Sequence, residues 1–371
     1  MIIHHVVSSR PLVKDGDHFK YKRGLIPLTP GMDNANTFLN FGHYLVEKND
    51  IDPPVFKRNG DSSETNHFHT HEGDFYLPGE ESEPWFNEIF TELKKEREKQ
   101  LYIYLFGFGN TVNQEMKKQL SPLHSHYFLD DWGLNSPVGK ILLISWPSQG
   151  KLQYKKGELN DVEKMGKSVA VLLLKLFHYV NNKNNPLFSD WNPKIVMHTQ
   201  SMGCRILKQA VKTLNDLENA GKIKADILNN FFHRLILTGA DIDEDGLSYS
   251  DAEDDYFIHQ LAHRVVLFHN KNDFALWMSN NIFGTKKQRL GRTETDIKKM
   301  LPKNVDLIQL SRKGGAGLVG HSYFQDKSFI IEKLFSALGN QHADGTTLAD
   351  GKNRAMELEC EPDSIKGEWI G

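Results

Sequence analysis

From about residue 100 to residue 340 the sequence alternates short, nearly unbroken apolar runs with longer stretches whose apolar residues recur at helical spacing. The runs fall at 101–106, 141–146, 194–199, 235–238, 264–269 and 305–310. A strand with one wet face alternates apolar and polar residues, so unbroken runs of this length are strands covered on both sides. Helical spacing at about 157–182 and 203–218, with a final helix at 326–339, supplies the cover. The repetition predicts an α/β architecture, a mainly parallel sheet with helices on both faces.

The ends of the chain read differently. Residues 2–26 are expected to give one or two antiparallel strands at the sheet edge, and the polar stretch 48–84 an irregular insertion. The expected division is therefore 1–99 for the N-terminal edge strands and insertion, 100–340 for the core, and 341–371 for a mobile tail. A net charge of −3 offers no field that would attract nucleic acid. Mean hydropathy is −0.50, and the most apolar stretch, 169–174, stops at Lys175, too short to span a bilayer. The N-terminus lacks a secretory pattern, and two cysteines, Cys204 and Cys360, cannot form a disulfide framework. A cytoplasmic protein is expected, with its oligomeric state open.

One junction carries chemistry. The third run passes through Thr199 and Gln200 into Ser201, Met202 and Gly203, and a helix-like stretch follows at once. Strand, tight turn with serine at its apex, then helix is the layout of a nucleophile elbow, which holds the hydroxyl above the sheet beside a helix N-terminus. A serine needs a base to take its proton and an acid to orient that base. After the fifth run comes the polar turn Asn270-Lys271-Asn272-Asp273, and after the sixth a glycine-rich loop ending in His321. The order serine, acid, histidine after successive strands assigns Ser201 as nucleophile, Asp273 as acid and His321 as base. Asp241, one strand earlier, is the rival acid. The oxyanion would be held by the backbone N–H of Met202 and by one from Phe106-Gly107-Phe108-Gly109-Asn110, expected at Phe108.

Five segments together resemble a known family: Phe106-Gly107-Phe108-Gly109-Asn110, Ser145-Trp146-Pro147-Ser148-Gln149-Gly150, Gln200-Ser201-Met202-Gly203, Asn272-Asp273-Phe274-Ala275-Leu276 and His321-Ser322-Tyr323-Phe324. In this order they look like the widespread bacterial α/β-hydrolase family with an HGFN-type oxyanion motif, a WPS strand end and an HSMG elbow. The resemblance covers about residues 100–335 and implies the α/β-hydrolase fold, with Ser201, Asp273 and His321 in the triad positions. Arg289-Leu290-Gly291 also resembles the family's segment after the acid strand. The sequence departs from the pattern at Phe106, Thr199 and Gln200, with Gln200 expected to face solvent in the elbow.

Other constellations lead elsewhere. His67, His69 and His71 alternate in a polar segment and would project to one side of an extended strand, a zinc-ligand pattern set in an insertion unsuited to holding it; no metal or cofactor is expected. Cys204 reads as a small buried residue rather than a nucleophile. Residues 274–300 form a long excursion after the acid, whose Trp277 and Phe283 would either pack on the core or, as a lid, line an apolar substrate wall with Trp146. The expected activity is hydrolysis of a small-molecule carboxylic ester or thioester through a serine–histidine–aspartate triad. The alternatives are a binding protein that has kept the fold without catalysis, or an acyltransferase or amidase using the same triad.

Overall fold

The computed structural model describes residues 2–8, 12–15, 18–21, 40–47, 50–51, 55–56, 83–107, 120–124, 128, 136–146, 157–224, 227–247, 258–281, 287–293, 297, 301–311, 321, 355–360 and 365–370. They belong to two compact units, one comprising Met1–Val196 with Gln209–Leu228, the other Met197–Lys208 with Asn229–Gly371.

In the first unit, strand β1 (Ile2–Ser8) is followed by the hairpin pair β2 (Leu12–Asp15) and β3 (His18–Tyr21), then β4 (Asn40–Glu47), β5 (Asp50–Ile51) and β6 (Val55–Phe56). Helix α1 (Glu83–Lys94), β7 (Gln100–Leu105), α2 (Ser121–His124), β8 (Val138–Ser145) and α3 (Gly157–Val180) complete it. The strand order is β7-β8-β1-β4-β5. β7 and β8 run parallel, β8 and β1 run parallel, and β1 and β4 are antiparallel in register Ile2↔Val46 to Ser8↔Asn40. Every residue of β7 is buried, as its unbroken apolar run requires. Helix α1 buries Phe86, Ile89, Phe90 and Leu93, one stripe at helical spacing, and Phe90 stacks on Tyr179.

β1 is not the edge strand expected. It lies inside the sheet, with β8 on one side and β4 on the other. The sequence Ile2-Ile3-His4-His5-Val6-Val7 looks half polar, yet His4, His5, Val6 and Val7 are all buried. His4 Nε2 meets His124 Nδ1 at 2.8 Å, which satisfies one nitrogen of the buried ring, and the two rings pack edge to face with centroids 5.1 Å apart.

In the second unit the strand order is β9-β10-β11-β12-β13-β14. β9 (Ile195–Gln200) and helix α4 (Met202–Asn219) each begin or end across the division between units. β10 (Phe232–Thr238), β11 (Ala262–His269), α5 (Phe274–Asn281) and β12 (Val305–Ser311) follow. β10, β11 and β12 are parallel neighbours, and Leu235, Leu237, Val265, Leu267 and Leu307 form their core. Arg264 on β11 and Asp306 on β12 form a buried, two-point ion pair.

The stretch after residue 340 is more than a mobile tail. β13 (Ala355–Cys360) pairs parallel with β12 over Leu307↔Ala355 to Ser311↔Glu359, and β14 (Ile365–Ile370) closes the edge antiparallel to β13. Ala355-Met356-Glu357-Leu358-Glu359-Cys360 alternates apolar and acidic residues with period two, a weaker signal than the unbroken runs of the core strands. The final helix expected at 326–339 lies outside the described residues. Among the described residues no helix is long and apolar enough to cross a membrane.

Candidate active site

β9 runs directly into α4 with no intervening loop, so the residue between them must turn the chain at once. That residue is Ser201, and it adopts φ +52°, a left-handed conformation that non-glycine residues enter only under constraint. The constraint is visible in its backbone bonds. Ser201 N donates to Thr238 O at the end of β10 (2.9 Å), and Ser201 O accepts from Cys204 N (3.0 Å) and Asp241 N (3.3 Å). Ser201 is half-buried. Met202 opens α4, where the first N–H groups have no acceptor within the helix.

Burial around the elbow explains the sequence departures. Thr199 is fully buried, and its hydroxyl lies 3.2 Å from the Cys204 thiol, so the two residues that crowd the turn satisfy each other. Burial pushes the Cys204 thiol up to about 12, which removes it from nucleophilic chemistry. Gln200 does not face solvent as expected; it is buried at the end of β9. His198, on the same strand, bonds Thr238 Oγ1 at 2.8 Å, and burial lowers its pKa to about 3, leaving a neutral structural imidazole.

The residues expected as acid and base, Asp273 and His321, meet. Asp273 closes the turn after β11 through Asp273 N→Asn270 O (3.0 Å), and Asn270 Oδ1 accepts from Asn272 N. Its carboxylate, wholly buried, serves two purposes. Oδ1 accepts from Leu276 N at 3.0 Å and caps α5, while Oδ2 accepts from His321 Nδ1 at 2.8 Å. The imidazole packs over Gly239, where an added Cβ would come within 2.9 Å of His321 Cε1. Gly239 itself has φ +51° and follows Thr238, the acceptor for Ser201 N. Burial opposes a charge on His321, but the hydrogen bond and charge of Asp273, with the charge of Asp241 added, outweigh it and raise its pKa above 6.5. Among the described residues no hydrogen bond joins the Ser201 hydroxyl to the imidazole.

Asp241, the rival acid, is engaged elsewhere. Its Oδ1 accepts from Ser279 Oγ (2.7 Å) and Arg205 Nη2 (3.0 Å), and Arg289 Nε lies 3.1 Å away. The segment around Arg289 is wedged between strand ends: Gly291 N donates to Ala240 O and Gly291 O accepts from Asn270 N. A Cβ at Gly291 would lie 2.5 Å from Ala240 N, so only glycine fits.

The residues assigned to the substrate wall separate. Trp146 is wholly buried, and its indole N–H donates to Phe106 O at 3.0 Å, clamping the ends of β8 and β7 rather than lining an open surface. Trp277 is exposed on α5 and stacks on Phe274, with ring centroids 5.5 Å apart. Phe283, Phe108 and the histidines 67, 69 and 71 lie outside the described residues. Among the described residues no group of three or more metal-ligating side chains occurs. The sequence reading missed the Arg205–Asp241–Ser279 contacts, for which one-dimensional spacing carries no signal.

A mainly parallel sheet with helices, and a strand-to-helix turn bearing a left-handed serine, define the α/β-hydrolase class. Residues 81–337 match the family described as alpha/beta hydrolase of unknown function (DUF900), and the chain belongs to that family. No curated protein matches the chain.

Proposed function

We propose that the protein is a serine hydrolase that cleaves a carboxylic ester or thioester. The observation that carries this reading is the Asp273–His321 hydrogen bond beside Gly239, next to the residue whose carbonyl holds the backbone of the left-handed Ser201. With Nδ1 committed to Asp273, Nε2 of His321 is the nitrogen left to take the serine proton. Ser201 Oγ attacks the carbonyl carbon as that proton moves. The oxyanion of the tetrahedral intermediate is held by the N–H of Met202 at the start of α4. The imidazolium then protonates the leaving alcohol or thiol, giving an acyl-enzyme. Water, deprotonated by His321, attacks the acyl carbon, and loss of Ser201 Oγ with return of the proton regenerates the serine. Trp277, stacked on Phe274 at the start of the helix that Asp273 caps, supports an apolar acyl or alkyl group at this site. The cytoplasm is the compartment proposed, in keeping with the free thiol of Cys204.

Hydrolysis of short p-nitrophenyl esters and labelling by a fluorophosphonate test the reading together. Both should be lost in Ser201→Ala; a variant that labels and turns over as well as the parent overturns it. One observation favours a binding protein that has kept the fold: Ser201 and His321 are not hydrogen-bonded at rest. Catalytic hydrogen bonds often tighten only with substrate bound, so the two readings part on labelling. The binding protein is not labelled.

A further inference from the structure

The buried carboxylate of Asp241 joins three pieces of backbone that the proposed chemistry needs in fixed relation. Arg205 lies one turn along α4 from Ser201, and its guanidinium takes Asp241 at two points, Nε to the main-chain O (2.7 Å) and Nη2 to Oδ1 (3.0 Å). Ser279 lies on α5, the helix capped by Asp273, and donates to the same Oδ1 at 2.7 Å. Arg205 Nη2 also donates to Ser279 Oγ at 3.1 Å, which closes a triangle of side chains. On the other side, Arg289 reaches both Asp241 Oδ1 (3.1 Å) and Asp243 Oδ1 (2.6 Å). Gly291, two residues further on, accepts from Asn270 N, where the acid's turn begins. Asp241 therefore touches the serine through its main-chain N–H, the serine's helix through Arg205, the acid's helix through Ser279, and the acid's turn through Arg289 and Gly291.

We propose that Asp241 is a positioning residue, with Arg205 and Ser279 as its two arms, that fixes the serine elbow and the Asp273 turn in register with each other. The proposal rests on the hydrolase reading for its kinetic consequence but not for its geometry. At a triad, placement matters steeply: a shift of about 1 Å can cost on the order of a hundredfold in rate. Asp241 shows only 2% exposure, so its ionic contacts are little screened and hold their directions firmly. Two-point binding by a planar guanidinium fixes angle as well as distance, which a lysine cannot do. The charged and titratable groups acting on His321 are Asp273, in direct contact, and Asp241 behind it.

The test uses the full chain with Ser279→Ala, Arg205→Lys and Asp241→Asn. Ser279→Ala and Arg205→Lys are mild changes expected to keep the fold, which thermal unfolding checks. The first readout is the rate of fluorophosphonate labelling of Ser201 together with kcat and KM on a p-nitrophenyl ester. Each variant should label on the order of tenfold or more slowly, with the loss in kcat and KM little changed. The second readout needs no activity: the downfield imidazole N–H proton resonance of His321 held by Asp273, followed by NMR against pH. Ser279→Ala should broaden or shift it, and Asp241→Asn should lower the pH midpoint of His321. If the parent is not labelled, the hydrolase reading fails and the resonance alone decides the positioning role. Variants that label at the parent rate, or in an unlabelled parent leave the His321 resonance and midpoint unmoved, overturn the proposal.

Discussion

At the scale of single residues, the site depends on two backbone positions and one imidazole. The raised pKa of His321 fixes the sign of two pH effects. Because the folded value lies above the ordinary 6.5, protonated His321 favours the folded chain: the contribution is complete below 6.5 and is lost as pH rises through the folded value. The proposed hydrolysis needs the neutral ring, so kcat/KM should fall as pH drops through that same raised value, with its acid limb above 6.5. Asp273→Asn should move the limb to lower pH and reduce kcat by on the order of 10⁴, read from a pH–rate profile. The asparagine retains an acceptor for the N–H of Leu276, whereas Asp273→Ala should lose about 1 kcal/mol more in stability with the helix cap. Gly239→Ala forces a side chain into φ +51° and brings a methyl within 2.9 Å of His321 Cε1. Its strain should cost about 1–2 kcal/mol in thermal unfolding, and the displaced ring should slow Ser201 labelling by on the order of a hundredfold.

At the scale of elements, a buried ion pair and the proposed chemistry occupy opposite ends of the same strands. Arg264 and Asp306 pair near the starts of β11 and β12, whereas Asp273 follows the end of β11. Asp306→Ala leaves a buried guanidinium without its carboxylate and should cost about 3–5 kcal/mol in urea unfolding. The double variant Arg264→Met with Asp306→Leu should recover most of that loss, since an apolar pair of similar size carries no desolvation penalty. Elements also show where one-dimensional reading succeeds. β7, β9, β11 and β12 were legible because burial on both faces demands unbroken apolar runs, as in Leu101-Tyr102-Ile103-Tyr104-Leu105. β1 reads as an edge strand because His4 and His5 break its apolar run, and the groups that meet them inside, His124 against His4 and Trp85 against His5, are distant in sequence.

At the scale of the whole molecule, the C-terminal strands change what the chain can lose. β13 lies along β12, the strand that leads toward His321, and β14 in turn covers β13. Removing residues 341–371 uncovers the open edge of β12, a row of unpaired N–H and C=O groups that invites pairing with another chain. The truncated protein should unfold at lower temperature and associate, as light scattering would show; an unchanged, non-associating product would mean that the two strands contribute nothing to the sheet.

The sequence by itself determined the α/β class, the strand-to-helix turn at Ser201, and the order in which Asp273 and His321 follow. Each of these is a local pattern, set by periodicity, by turn chemistry or by the loop that ends a strand. Only the tertiary structure decided that Asp273 rather than Asp241 holds the imidazole, that Trp146 is a clamp, and that residues 355–370 belong to the sheet. Those outcomes depend on which partners reach a carboxylate, an indole or a strand edge across dozens of residues. Competition among distant partners is settled by packing, and spacing along the chain carries no record of it.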